Sequence, residues 1–353
     1  MKTARLWRGI LPFTHLAREG RKTVTLGRRE LLGALGGAAV GWPLAARAQQ
    51  PAMPMVGFIN SGHADASAPF VTAFRKGLNE TGFVDGQNVR VEYHWLEGKY
   101  DQLPALMADL VRRGVSVIAT PVATVASLAA KAATATIPIV FGVGGDPVQL
   151  GLVASLARPG GNATGINFFN LEVTAKRLRL LHELVPKAVR IAVLVNPANA
   201  PSTEFTLRTV QEAAPAVGLQ TQVVNATTIA EIDAVFAGFA LEHPDALFLA
   251  GDAFFLDRRV QFATLTARDR IPATGNESPF VKAGGLMSYG TDLAETFRQV
   301  GNYTGRVLKG EKPADLPVQQ PTKFELTINL TTARAIGIIV PDQLLAIADE
   351  VIE

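Results

Sequence analysis

The sequence predicts an α/β fold made of two similar Rossmann-like lobes, each a parallel sheet flanked by helices. Three observations predict it. Short apolar runs alternate with longer amphipathic ones from Met55 onward, the same alternation restarts after Gly165, and the stretch before that restart, ARPGGNATG at 157–165, consists largely of turn-forming residues. Alternation of this kind places strands side by side in parallel, with the intervening helices covering both faces.

Taken in order, 55–59 (MVGFI) reads as a buried strand, and Phe70, Ala73, Phe74, Gly77 and Leu78 follow at the spacing of a helix face that packs on it. Val89, Val91, Tyr93 and Trp95 alternate with Arg90, Glu92 and His94, as in a half-buried edge strand with His94 turned to water. A helix over 102–113, a strand over 115–120, a helix over 123–133 and a strand over 137–141 complete the first series. The second runs helix 171–184, strand 190–195, helix 202–217, strand 220–224, helix 229–242 and strand 246–250. The segment 157–165, permissive in backbone conformation, is the expected first crossover between lobes.

In open α/β sheets a ligand sits beyond the carboxyl ends of the strands, where loops meet helix N-termini. Those places hold Asn60 and Ser61, Thr120 and Pro121, and GVGGDPV (142–148) in the first series. In the second they hold residues 196–199, beginning with Asn196, and GDAFF (251–255). Two aspartates admit two roles each. Asp146 and Asp252 stand at expected helix starts, where a carboxylate caps backbone N–H groups. Either also suits a cleft carboxylate that holds a ligand ammonium, and Phe254 and Phe255 beside Asp252 suit an apolar ligand face.

The first 48 residues read as a removable export leader: Arg28 and Arg29, an apolar run over 31–45, then Ala46-Arg47-Ala48 before the expected cut. The run carries four glycines and Pro43 and is too short to span a bilayer, and no later segment is apolar for long enough. GRRELLG (27–33) is similar to the twin-arginine export motif, with Leu31 and Gly33 in place of its usual Phe and Lys; Arg47 also leans toward that route over the general secretory one. The leader holds nine Lys or Arg and two acidic residues, and the remainder 25 basic and 29 acidic, so the net charge of +3 becomes −4 on cleavage. A mildly acidic mature chain gives no electrostatic footprint for nucleic acid or a membrane surface. With no cysteine, the chain has neither disulfides, nor a thiolate metal site, nor a cysteine for a lipid tether.

Enzyme motifs are mostly absent. Glycines 142, 144 and 145 fail the GxGxxG spacing, and neither GxxxxGK[ST] nor GxSxG occurs. His63, His94, His182 and His243 are scattered, and Pro186 ends the segment in which His182 and Glu183 begin like a zinc helix. The expectation is a binding protein without metal or cofactor.

Long blocks carry a family likeness: GGDPVQLGLVASLARPGGNATG (144–165), GGLMSYG (284–290), LKGEKPADLPVQQPTKFELTINL (308–330), ADEVIE (348–353), and the leader's RRE with PLAARAQQP (43–51). Over 53–353 the chain resembles the bacterial ABC-transporter substrate-binding family whose better-known members take up tryptophan, tyrosine or phenylalanine, built on the type I periplasmic-binding fold. The resemblance implies two lobes, 53–165 plus about 288–320 and 166–287 plus about 321–353, joined by three crossings near 165–167, 287–289 and 321–323. It places the cleft loops on Asn60, Ser61, Thr120, Asp146, Asn196, Asp252 and Tyr289. It implies a periplasmic receptor that holds an amino-acid-like or carboxylate ligand, an aromatic amino acid among the candidates, and delivers it by hinge closure to an ABC permease with its ATPase. Alternatives on the same fold are a periplasmic sensor subunit or a cleft enzyme. Thr274 to Pro279 (TGNESP) departs from the family pattern, which usually carries an aromatic and basic residues there, so a different ligand is expected to be possible.

Overall fold

A computed structural model describes residues 53–168, 173–321 and 323–353. The leader (1–48), the expected helix start at Leu171 and Thr322 within the third expected crossing lie outside the described residues.

The first sheet contains five strands: β1 (Met55–Asn60), β2 (Arg90–Trp95), β3 (Val117–Thr120), β4 (Ile139–Val143) and β5 (Ala163–Asn167), all parallel, in the order β2-β1-β3-β4-β5. Helices α1 (Ala64–Glu80), α2 (Leu103–Arg113) and α3 (Thr124–Ala133) connect them. Along β1, Val56 and Phe58 face one core while Ile59 faces the other. That is why the run is continuously apolar: a parallel strand buried on both faces has no solvent side. Each such side chain, fully buried, stabilises by roughly 1.5–3 kcal/mol.

The second sheet contains seven: β6 (Arg190–Val195), β7 (Gln220–Asn225), β8 (Ala246–Leu249), β9 (Ala273–Gly275), β10 (Met287–Gly290), β11 (Glu325–Asn329) and β12 (Glu350–Ile352), in the order β12-β11-β10-β9-β8-β6-β7. Its helices are α4 (Thr174–Leu184), α5 (Ala200–Ala213), α6 (Ile229–Phe239), α7 (Ala253–Asp257), α8 (Arg259–Arg268), α9 (Ser278–Lys282), α11 (Leu330–Ile336) and α12 (Asp342–Ile347). Ile191, Val193 and Val195 enter one core and Ala192 and Leu194 the other. The long helix α10 (Leu293–Leu308), between β10 and β11 in sequence, packs instead on the first sheet through Phe297, Val300 and Tyr303.

Three differences from the sequence reading have clear causes. The turn-rich stretch 157–165 does not carry the chain out of the first lobe; it feeds β5, the edge strand paired with β4. Gly165 is what permits this, since a Cβ there would stand 2.0 Å from the Phe141 carbonyl oxygen. The second sheet is not wholly parallel: β10 and β11 are antiparallel, with Met287 opposite Ile328. The chain leaves β10 to build α10 on the other sheet and so re-enters from the crossing side, running the opposite way. His94 lies on an edge strand as expected, but it is half-buried. Its Nε2 is shielded and without a hydrogen-bond partner among the described residues, and burial lowers its pKa. The cause is α2, whose Arg113 reaches over β2 to Glu92 at 2.7 Å.

Candidate functional site

The loops that follow the carboxyl ends of seven strands meet around one cavity of about 50 Å³. The first sheet sends Ser61 after β1, Tyr100 after β2, Val122 and Thr124 after β3, and Gly144 after β4. From the second come Asn199 and Ser202 after β6, Gly251 and Asp252 after β8, and Asn276 and Glu277 after β9. Phe168, at the first crossing, and Leu256, on α7, supply apolar wall. Two helix N-termini point into this space, α3 at Thr124 and α5 at Ser202, and neither carries a side-chain cap. The first N–H groups of a helix have no intrahelical acceptor, so an uncapped start is a donor site for an anion. Val122 supports the α3 entry at φ +54°, a left-handed conformation that a β-branched residue adopts only under constraint.

A second, outer cleft of about 420 Å³ adjoins it, with Thr124 and Ser202 lining both. Asp146 and Gln149 form one bank, and Glu204, Phe205 and Arg208 of α5 the other.

The residues singled out from the sequence fall into three groups. Ser61 and Asp252 line the inner cavity, and Asp146 the outer cleft. Asn60, Thr120 and Asn196 stand behind the inner wall, engaged in holding loops: the Asn60 Oδ1 accepts from the Gly62 amide at 2.7 Å, the Thr120 hydroxyl meets Ser127 Oγ at 2.8 Å, and Asn196 Nδ2 donates to Asp252 at 2.9 Å. Tyr289 lines neither space. It sits in the core of the second sheet opposite Leu326, with the Lys176 ammonium 4.9 Å above its ring.

Both aspartates cap. Asp146 Oδ1 accepts from the Val148 and Gln149 amides at 2.8 and 3.4 Å. Asp252 is the N-cap of α7: its Oδ1 accepts from Asn196 Nδ2 at 2.9 Å and the Phe254 amide at 3.0 Å, and its Oδ2 from Asn199 Nδ2 at 2.9 Å. Burial raises its pKa and these donors pull the other way. Across the cavity, burial also raises the Tyr100 phenol, against a hydrogen bond with Ser61.

Glu277 was not singled out, although the stretch containing it was. It lies at the N-terminus of α9, is 7% exposed, and accepts a short hydrogen bond from Asn276 Nδ2. Desolvation raises its carboxyl well above the usual range; Arg177 opposes this and the Asp252 charge adds to it. Arg177, on α4, is itself fully buried, stacked 4.1 Å over the Phe248 ring and donating to the Leu249 carbonyl at 3.0 Å. No linear pattern reports that the residues after β9 line the cavity, so periodicity does not mark Glu277.

The lobes also touch outside the cavity. Asp257 Oδ2, on α7, accepts from the His63 backbone amide at 2.6 Å and lies 2.9 Å from the His63 ring Nδ1, at the start of α1.

Among the described residues no helix is long and apolar enough to cross a membrane, and no cluster of His, Asp or Glu could hold a metal ion.

Known proteins share this architecture. A tyrosine-binding protein of Clostridioides difficile (strain R20291) is 26% identical over 263 residues, 74% of this chain and 75% of that protein. A conserved domain protein from Vibrio cholerae O1 biovar eltor superposes with a TM-score of 0.76 at 26% identity, covering 85% of this chain and 99% of that one. The ABC domain from Streptococcus pneumonia, solved in complex with L-Trp, gives 0.73 at 25% identity with the same coverage. The architecture is the type I periplasmic-binding fold. The model of the ABC transporter substrate-binding proteins matches residues 57–352, and this chain belongs to that family.

Proposed function

We propose that the chain is the exported receptor of an ABC importer, capturing a small amino-acid-like or carboxylate ligand in the inner cavity and passing it unchanged to the permease. The observation that carries this reading is the convergence of loops from both sheets, with two uncapped helix N-termini, on one space. Contacts divided between two bodies exist together only when the bodies are closed, so a ligand shifts the population toward closure by its differential affinity. The α3 and α5 N-termini suit the carboxylate, and Phe168, Val122 and Leu256 suit an apolar side chain. A cavity of about 50 Å³ has the scale of a few waters, so an amino acid enters by parting of the lobes. The proposed moving bodies are the two sheets with their helices, turning about the crossings after β5, after β10 and before β11.

The likeness to the tyrosine-binding and L-Trp-bound proteins supports an aromatic amino acid as first candidate. Thermal-shift screening and calorimetry against the amino acids and small carboxylates test the reading. Saturable stabilisation with the ligand recovered intact is expected, and its chemical conversion, or the lack of any binding in this panel, overturns it. Export with cleavage after Ala48, by the twin-arginine route, is part of the proposal; N-terminal sequencing of protein from the periplasm checks the cut, and export from a strain lacking that translocase checks the route.

A further inference from the structure

A groove of about 540 Å³ lies at the amino ends of β6, β8 and β9, the opposite end of these strands from the inner cavity. Leu184, Val185, Ala188 and Pro272 form its buried apolar floor. Ile338 and Ile339, between α11 and α12, form one wall, and Ile339 is 91% exposed. An exposed isoleucine alone means little; one that continues a buried apolar floor into a concave surface marks a binding place.

Two cations share this lining. Lys187 follows α4 and Arg270 precedes β9, and neither side chain forms an ion pair or a hydrogen bond among the described residues. Their neighbours are paired: Arg190 with Glu242 at 3.2 Å and Arg268 with Asp269 at 2.7 Å. Asp245 is the only carboxylate of the lining among the described residues. Its Oδ2 accepts from the Arg190 and Val189 amides at 2.8 Å each, and these hold its pKa below the ordinary value. His243 lines the groove as well, with its ring Nε2 2.9 Å from the Asp269 carbonyl. Lys187 and Arg270 against Asp245, with His243 counted neutral, leave a formal charge of +1 on the lining.

We propose that this groove binds a small apolar monocarboxylate, with its hydrocarbon body on Ile339 and the floor and its carboxylate between Lys187 and Arg270. One negative charge matches the lining, and a guanidinium fork meets a carboxylate through two parallel hydrogen bonds. The volume falls in the range of small-molecule sites, roughly 300–1,000 Å³.

This is a second site, separate from the space between the lobes. Every lining residue belongs to the second sheet, its helices or their connecting loops, so no contact here is lost when the lobes part. A ligand that meets two states alike shifts neither, so the occupant of the groove is indifferent to closure and does not compete with the ligand of the inner cavity.

The test is calorimetry on the protein purified after export, with decanoate and decyltrimethylammonium as probes of equal chain length and opposite charge. Decanoate is expected to bind once per chain, at least about tenfold more tightly than the cation, and to weaken as salt is added. The double variant Lys187→Gln/Arg270→Asn is expected to bind decanoate at least about tenfold more weakly. Both positions are exposed, and Asn tolerates the left-handed φ of +53° at position 270. Ile339→Ser is expected to weaken it at least about threefold through lost apolar cover. Equal affinity of wild type for the two probes, or no binding of decanoate, overturns the proposal without any variant. Decanoate binding that both variants leave unchanged also overturns it, because the probe then sits elsewhere on the molecule. Neither result touches the reading of the inner cavity, which is tested with amino acids.

Discussion

Asp252 shows how a single residue divides between structure and ligand. Residues 251–255 read as a cap or a cleft carboxylate, and its position in the fold puts it at the cavity while its oxygens hold Asn196, Asn199 and the first turn of α7. Asp252→Ala removes three hydrogen bonds and leaves buried donors without an acceptor, so a loss of about 2–4 kcal/mol in unfolding free energy is expected. Urea denaturation measures it; a loss under about 1 kcal/mol contradicts the capping role. Glu277 makes a pH prediction. Its folded pKa is raised above the unfolded 4.5. The stabilisation from its neutral form is therefore complete below that value and is lost as pH rises through the folded one. Between about pH 5 and pH 9 wild type should lose more stability than Glu277→Gln, and parallel melting-temperature profiles for the two would refute this.

Among the elements, the α1–α10 pair depends on glycine in a way that spacing alone does not announce. A Cβ on Gly301 would stand 2.0 Å from the Phe74 carbonyl oxygen, and one on Gly77 1.8 Å from that of Arg298. The helices thus touch backbone to backbone, and Gly301→Ala must push them apart. A destabilisation of at least about 2 kcal/mol is expected from overpacking. Gly238 near the end of α6 is the contrast, because nothing stands within 4 Å of its would-be Cβ. Gly238→Ala should stabilise by roughly 0.5–1 kcal/mol through helix propensity. Chemical denaturation of both variants decides between backbone contact and ordinary helix behaviour. Gly77 was legible as part of an apolar face at helical spacing. That its partner is a helix more than 200 positions later was not, since the pattern of one element carries no address for the surface that covers it.

For the whole molecule, the His63–Asp257 contact joins one lobe to the other beside the lining residues Ser61 and Leu256. If closure retains the ligand, Asp257→Ala should accelerate ligand release by roughly tenfold or more, the scale of charge-assisted hydrogen bonds, with little change in association. Stopped-flow displacement reads both rates, and an unaltered release rate would show that this contact has no part in retention. The mirror-like quality of the two series in sequence also hides an asymmetry at this scale. The first sheet has five strands and borrows α10, whereas the second has seven and includes an antiparallel pair.

Hydrophobic period and turn chemistry are local, and they determined the α/β class, most strands to within one or two residues, and the loops at the strand ends where Ser61 and Asp252 stand. The blocks from 144 to 165 and from 308 to 330 carried the family resemblance, which neither period nor turn chemistry supplied. Only the tertiary structure decided which polar groups at those ends are engaged by neighbours and which reach the cavity. Asn196 and Thr120 turned inward to hold loops, Tyr289 packed into the second core, and Glu277 came to line the inner space. The reason is that burial and hydrogen-bond partnership belong to pairs of residues far apart in the chain, such as Asn199 with Asp252 or Arg177 with Glu277. A period along one strand sets which face a side chain takes, and the surface it meets there is set by the rest of the fold.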